Sequence, residues 1–384
     1  MVTRLAQWLR RRHQWVVAYL LLAPYLAYAM VFWVYPFVWG GILSLQQWVI
    51  PTGQGTAVFV ILNPDANPEH IGLDNFARIL SLKVAELPRR IDADTGEPLY
   101  VCGRKTVVES EIGDYEGPCE PRYKSVHDVV PRGYSEWFQT DLEGLLHKRY
   151  VVASELPLFW NGLVVTFKFF VFFMPTVTVG SLLLAMALQR AQHLQGIFIA
   201  GYLSSYVVAG VAYSAVFKTL FARNGLVDDT VYHLLGTRVG WFSDTKIALF
   251  SIAAIVAWKF VGYYGLIFLS GLNAIPKDVY EAASLDGANA SQRFFRVTIP
   301  LLNPALVVVL VFGTILSFNI FTEPYLITGG TPHDTTNTFM LLIYRTIFED
   351  LRIGLGAAMA IVMAVLSFAA MTIVRRLVER EVAL

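Results

Sequence analysis

The chain has 384 residues, of which 55% are hydrophobic and only 15% charged, and its mean hydropathy is +0.52. A composition this apolar excludes an ordinary soluble domain and places the chain in a bilayer. The formal net charge of +1 gives no bulk electrostatic case for nucleic-acid binding, so the placement of arginines carries more than their total.

A helix needs roughly 20 apolar residues to cross a hydrocarbon core about 30 Å thick. Six runs meet that length and predict six transmembrane helices, over about 16–44, 157–188, 197–217, 247–272, 304–326 and 353–374. Ahead of the first run, Trp8, Arg10, Arg11, Arg12 and Trp15 form a basic-aromatic lead-in suited to the membrane surface. The run itself is long, contains Pro24 and Pro36 and lacks a small-residue cleavage pattern, so it reads as a membrane helix and not a signal peptide. Arg4, Arg10, Arg11 and Arg12 before the first run and Arg375, Arg376 and Arg380 after the last predict that both ends are cytoplasmic.

After the first run the composition changes. Residues 46–156 are rich in Asp, Glu, Pro and Gly and read as an extracytoplasmic insertion. Within it Leu99-Tyr-Val-Cys102 and Lys105-Thr-Val-Val108 alternate as short strands. Both cysteines of the chain, Cys102 and Cys119, lie here, on the oxidising side in this topology. A disulfide is the natural reading and two unpaired thiols the alternative; partners for a zinc site are too few.

The second run closes on Gln189-Arg190, a cytoplasmic exit, and Asn224-Gly225 with Asp228 and Asp229 marks the next outside connection. The fourth run turns polar at Trp258-Lys-Phe-Val-Gly262-Tyr263. Lys259 falls too deep for its amine to snorkel, and a charge there costs at least about 2.5–3.5 kcal/mol unless it faces protein or a wet cavity. Tyr263 follows one turn later on the same face, and in the fifth run Phe312, Leu316, Asn319 and Glu323 fall along one helical stripe. Two readings stay open. Lys259, Tyr263, Asn319 and Glu323 line a solute path, or Lys259 is a structural ion-pair partner with Glu323 as one candidate acid.

Between the fourth and fifth runs lies the chain's best-marked polar interruption. Pro276-Lys277-Asp278 supplies a helix start, with Asp278 and Glu281 where the helix dipole favours negative charge. Gly287 stops that helix, Asn289 and Gln292 match a capping box for a second, and Pro300 and Pro304 end or redirect it. The product is a helix-turn-helix elbow carrying Arg293, Phe294, Phe295 and Arg296, suited to docking in a groove of another protein; an ordinary solvated loop is the alternative.

The spacing of Glu281, Ala282, Ala283, Gly287 and Pro300, with Val297 and Ile299 as conservative replacements, resembles the EAA loop of ABC-importer permeases. Further landmarks resemble the maltose-type sugar permeases of binding-protein-dependent importers: Ile71-Gly-Leu-Asp-Asn-Phe76, Phe159-Trp160-Asn161, Leu326 to Pro332 with one inserted residue, and Gly354 to Ala360. They cover about 157–376 closely and 16–80 loosely, leaving roughly 81–150 as an addition.

The resemblance implies an all-α, six-helix type I importer permease with a small α/β or β-rich insertion. Its parts are a lead-in and first helix over 1–45, the insertion over 46–156, and a five-helix core over 157–384 with its coupling loop at about 274–300. It implies that Glu281, Ala282, Ala283, Asp286, Gly287, Arg293, Phe294 and Pro300 couple to an ATPase. Trp258, Lys259, Tyr263, Phe318, Asn319 and Glu323 fall where such permeases line their solute cavity, although Lys259 departs from the usually neutral pattern. The implied partners are a second, similar permease, two cytoplasmic ATPase subunits and an extracytoplasmic binding protein, in the inner membrane of a prokaryote. No Gly-x-x-x-x-Gly-Lys-Ser/Thr phosphate loop occurs, so ATP and Mg belong to the partner ATPase and no cofactor is expected in this chain. The solute class is carbohydrate, with a polyol or glycerol-phosphate-type solute as the alternative. A lone ion-driven transporter would need internal repeats, which we do not see. An enzyme using His127, His147 or Glu155 would need a His-Glu-x-x-His or Gly-x-Ser-x-Gly pattern, and neither is present.

Overall fold

A computed structural model describes residues 17, 19–48, 69–115, 117–141, 149–191 and 195–379. Trp8, Trp15, the arginines of the lead-in, His147 and Arg380 lie outside the described residues. The chain divides into two compact units, one comprising residues up to Ala77 with Tyr344–Val362, the other Arg78–Ile343 with the residues from Met363 onward.

In the first unit, α1 (Tyr19–Ser44) carries no charged residue. A π turn over Met30–Val34 precedes Pro36, whose ring would press on the carbonyl four residues back in a regular α-helix. The end of α1 is closed from a distance. Buried Asn75 donates to the carbonyls of Ser44 (2.9 Å) and Gln46 (3.0 Å), which no helical N–H can reach. Strands β1 (Gln46–Gln47) and β2 (Glu69–His70) pair antiparallel beside that contact. Those two bonds give Asn75, in the Gly-Leu-Asp-Asn-Phe segment, a physical role. Gly354 approaches the Gln46 carbonyl so closely that a side chain there would collide with it.

The second unit begins within the expected 46–156 insertion, whose residues up to Ala77 belong to the first unit. Its strands form two three-stranded antiparallel sheets: β3 (Lys83–Leu87), β8 (Arg149–Ser154) and β7 (Ser135–Asp141) in one, β5 (Lys105–Val108), β4 (Leu99–Cys102) and β6 (Cys119–Pro121) in the other. The two predicted strands are β4 and β5. Cys102 and Cys119 face each other across β4 and β6 with Cα atoms 4.3 Å apart and are joined by a disulfide.

The rest of the unit is helical. Central to it is α6 (Ala248–Ala274), packed against α2 (Pro157–Arg190), with Phe169, Phe173, Val177, Ile252, Val256 and Phe268 buried between and around them. Small residues set the approach: a Cβ on Gly180 would stand 3.1 Å from Val261, and Ser181 donates to the Val261 carbonyl at 3.1 Å.

Two predicted spans are not single helices. The third is a pair, α3 (Gln195–Val207) and α4 (Gly210–Leu220), bent by 94°. Ala209 takes an extended backbone between them, and a Cβ on Gly210 would stand 3.0 Å from the Thr322 side chain. The connection that follows includes α5 (Leu226–Leu235). There the Asn224 amide, then Arg238, hold the Asp228 carboxyl below its usual range.

The fifth predicted span, 304–326, is α9 (Asn303–Phe318) only; the chain leaves the helix at Asn319 and re-forms a π turn over Pro324–Thr328. The last span is α10 (Ile353–Val378). Among the described residues, α1, α2, α6 and α10 are each long and apolar enough to cross a membrane, and the bent pairs bring the total to as many as six.

Candidate functional site: a capped elbow and a buried lysine cluster

The elbow consists of α7 (Lys277–Leu285) and α8 (Ala290–Leu301). Pro276 opens α7 with an extended backbone and Asp278 lies in its first turn. At the other end Gly287 takes φ +78°, where a side chain at Cβ would be strained although nothing lies within 4 Å. That conformation lets the amides of Gly287 and Ala288 reach back to the carbonyls of Ser284 (3.1 Å) and Ala283 (3.0 Å). This is the doubled closure of a glycine-terminated helix. Asn289 and Gln292 then form the predicted capping box, each side chain bonded to the other's amide at 2.8 Å.

Contacts between the helices fix the angle. Arg293 donates to the Ser284 hydroxyl at 2.9 Å, and the Tyr280 and Thr298 hydroxyls meet at 3.1 Å. Arg293, expected to face a partner, is half-buried and gives one of its donors to the elbow itself. Phe294 is half-buried and lines a cleft of about 610 Å³ with Arg190, Lys277, Tyr280 and Thr298. The outward apolar groups are Leu285, 90% exposed, and Phe295, 64% exposed. Glu281, Ala282 and Asp286 are also exposed, while Ala283 is half-buried. Pro300 does not end the helix. A π turn over Phe294–Thr298 precedes it, and the redirection follows, as a 65° bend between α8 and α9.

The second polar feature sits on α6. Lys259 is buried, and its ammonium lies 4.2 Å from the centre of the Tyr213 ring and 5.8 Å from that of Phe260. The Tyr213 hydroxyl donates to Glu323 Oε1, and both side chains are buried. Tyr213, on α4, thus stands between the lysine and the acid. The Lys259–Glu323 ion pair, the alternative reading of this lysine, does not occur among the described residues. Sequence reasoning passed over Tyr213 because a tyrosine in an apolar run looks like core; the available signal was its hydroxyl, which needs a partner when buried.

Each of the other predicted path residues has a partner of its own. Tyr263 stacks on Tyr206 with ring centres 4.5 Å apart, Trp258 meets Phe217 edge-on at 5.1 Å, and Phe318 meets Phe170 at 6.1 Å. Asn319 is exposed and donates to the Ile315 carbonyl of its own helix at 2.8 Å. The predicted stripe from Phe312 to Glu323 is broken because the helix ends there: Phe312 and Asn319 are exposed, and Glu323 is buried on the segment beyond.

Residues 150–382 match the model of the binding-protein-dependent transport system inner membrane component family. The chain belongs to this family. The sulfoquinovosyl glycerol transport system permease protein of Agrobacterium fabrum is 36% identical over 157 residues, 41% of this chain and 51% of that protein. The chain thus spans about half the length of that relative. The sn-glycerol-3-phosphate transport system permease protein of the same organism is 31% identical over 266 residues, covering 68% of this chain and 89% of its own length. In fold, the chain is similar to a bacterial ABC transporter involved in the import of the acidic polysaccharide alginate. That match has a TM-score of 0.62 at 15% identity and covers 97% of this chain and 98% of the other. With its several apolar helices, this family member is a multi-pass membrane protein carrying an extra β-rich insertion.

Proposed function

We propose that the chain is the membrane permease subunit of an ATP-driven importer that passes a carbohydrate across the inner membrane of a prokaryote. An extracytoplasmic binding protein delivers the solute, and two cytoplasmic ATPases, which bind ATP and Mg, work through the elbow. A second, similar permease completes the path. The chain itself is non-catalytic, and both of its ends are cytoplasmic. The carbohydrate class is supported by the similar sulfoquinovosyl glycerol permease, whereas the sn-glycerol-3-phosphate permease fits the alternative solute class.

The observation that carries the reading is the elbow. It closes its own backbone groups through Gly287 and the Asn289–Gln292 box, yet leaves Leu285 and Phe295 bare at its surface. Apolar groups on a stiff, polar support are what a groove on a partner buries as anchors. Glu281 and Asp286 flank the tip as exposed acids. Ala282 and Ala283 keep the helix slim where a partner must approach.

Gly287→Val tests the assignment. Forcing a β-branched residue to φ +78° costs about 1–2 kcal/mol of backbone strain, too little to unfold the chain but enough to distort the turn. We expect the variant to reach the membrane folded and to lose transport, through weaker retention of the ATPase or uncoupled ATP hydrolysis. Normal transport with the ATPase bound would overturn the coupling role. Loss of folding would mean that Gly287 only ends a helix.

A further inference from the structure

Lys259 poses an electrostatic problem that the chain does not solve. Its side chain is buried, and among the described residues no ion pair or hydrogen bond to its ammonium occurs. The Tyr213 ring face attracts the cation, but an ammonium has three donors and a ring face accepts none of them as a carboxylate would. The obvious counter-charge is Glu323, whose oxygen instead receives the Tyr213 hydroxyl. A largely buried cation with no acid beside it is stabilised by any anion that reaches it during the protein's work.

We propose that Lys259 is the counter-charge for an anionic group on the translocated sugar, a carboxylate, phosphate or sulfonate, with Tyr213 as the positioning residue that keeps Glu323 from neutralising it. The proposal rests on the carbohydrate-importer reading and narrows its substrate to acidic saccharides. Lys259, Tyr213 and Glu323 come from three separate elements, α6, α4 and the segment after α9, so the arrangement is built by the fold and not by one helix. One turn along α6, the stacked Tyr263 and Tyr206 rings supply an aromatic face of the kind on which a sugar ring packs. The lysine is a compact point charge, suited to any of the three anionic groups.

The test uses the complete importer, with both permeases, ATPases and binding protein, in proteoliposomes. The probes are a uronic-acid oligosaccharide, a sugar phosphate and a sulfonated sugar, each beside its neutral counterpart. The wild type is expected to favour at least one acidic probe. Lys259→Gln should lower the ratio of acidic to neutral uptake about tenfold or more, the scale of one charge-assisted contact, while Lys259→Arg keeps most of it. Tyr213→Phe frees Glu323 and should lower the same ratio severalfold, and adding Glu323→Gln should restore it, a rescue that a purely structural tyrosine would not give. A wild type that favours neutral sugars, an unchanged ratio in Lys259→Gln, or no rescue in the double variant overturns the proposal. Dependence of Lys259→Gln uptake on anionic lipid content, with the ratio constant, would assign the charge to a lipid headgroup and overturn it equally. Import of no sugar at all would instead sink the carbohydrate reading beneath it.

Discussion

The elbow and the Lys259 cluster are both polar, yet they are held in opposite ways. In the elbow the stabilising bonds join residues a few positions apart: Gly287 to Ser284, Ala288 to Ala283, Asn289 to Gln292. Water can replace any of them, so each contributes on the order of 1 kcal/mol and the tip stays exposed. In the cluster, Lys259 meets a ring 46 residues earlier in the chain, and that ring's hydroxyl meets an acid 110 residues later. Nothing local holds that group together; tight helix packing does. A surface meant to be gripped can be built from local rules, whereas a buried charge needs the whole helical assembly around it.

The largest way to break the contrast is Gly262→Val. A Cβ there would fall 2.6 Å from the Tyr202 carbonyl oxygen and 2.9 Å from its carbon, both backbone atoms of α3. Because backbone cannot step aside as a side chain can, the loss should be about 3 kcal/mol or more, at the upper end of overpacking costs. It should appear as a lower melting temperature of the purified complex; an unchanged melting temperature would show that α3 and α6 are not locked at this point.

A third region sharpens the comparison, since the Cys102–Cys119 bond spans 17 residues. Replacing both cysteines by serine should cost the insertion about 3 kcal/mol in the chain-entropy model. Limited proteolysis should then cut within 81–150 while transport largely survives. Two free thiols in a non-reducing peptide map of the wild type would remove the bond from the account.

The smallest effect is expected at the cap, where Asn289→Ala should cost about 1 kcal/mol and fray only the start of α8. Sugar-stimulated ATP hydrolysis should fall a fewfold, with the melting temperature nearly unchanged. A large drop in melting temperature would mean that the elbow belongs to the core after all.

How much could be read beforehand follows the same division. The elbow's caps were legible because Gly287, Asn289 and Gln292 act within five residues of one another. Strands β4 and β5 were legible from alternation alone, and the cysteine pairing because the chain offers only two candidates. The bend between α3 and α4 was not, since a lone Gly210 in an otherwise apolar run does not by itself break a membrane helix. The end of α9 was hidden likewise: Ile320 and Phe321 prolong the apolar run, and only the Asn319 side chain, turned onto the Ile315 carbonyl, marks the stop. The bond from Arg293 to Ser284 was not legible either, because nothing in a nine-residue separation across a turn marks the two as partners.

That Arg293–Ser284 bond, with the Tyr280–Thr298 contact behind it, has a thermodynamic consequence for recognition. Side chains and loops that become ordered only on association lose rotational freedom, about 0.5–1.5 kcal/mol for each immobilised side chain. Here the angle between the two short helices is already fixed in the isolated chain, so a groove that receives Leu285 and Phe295 meets a preorganised shape. More of the contact energy then remains as affinity. If the elbow couples to an ATPase as proposed, a displacement of that partner would reach α8 without first having to order the turn.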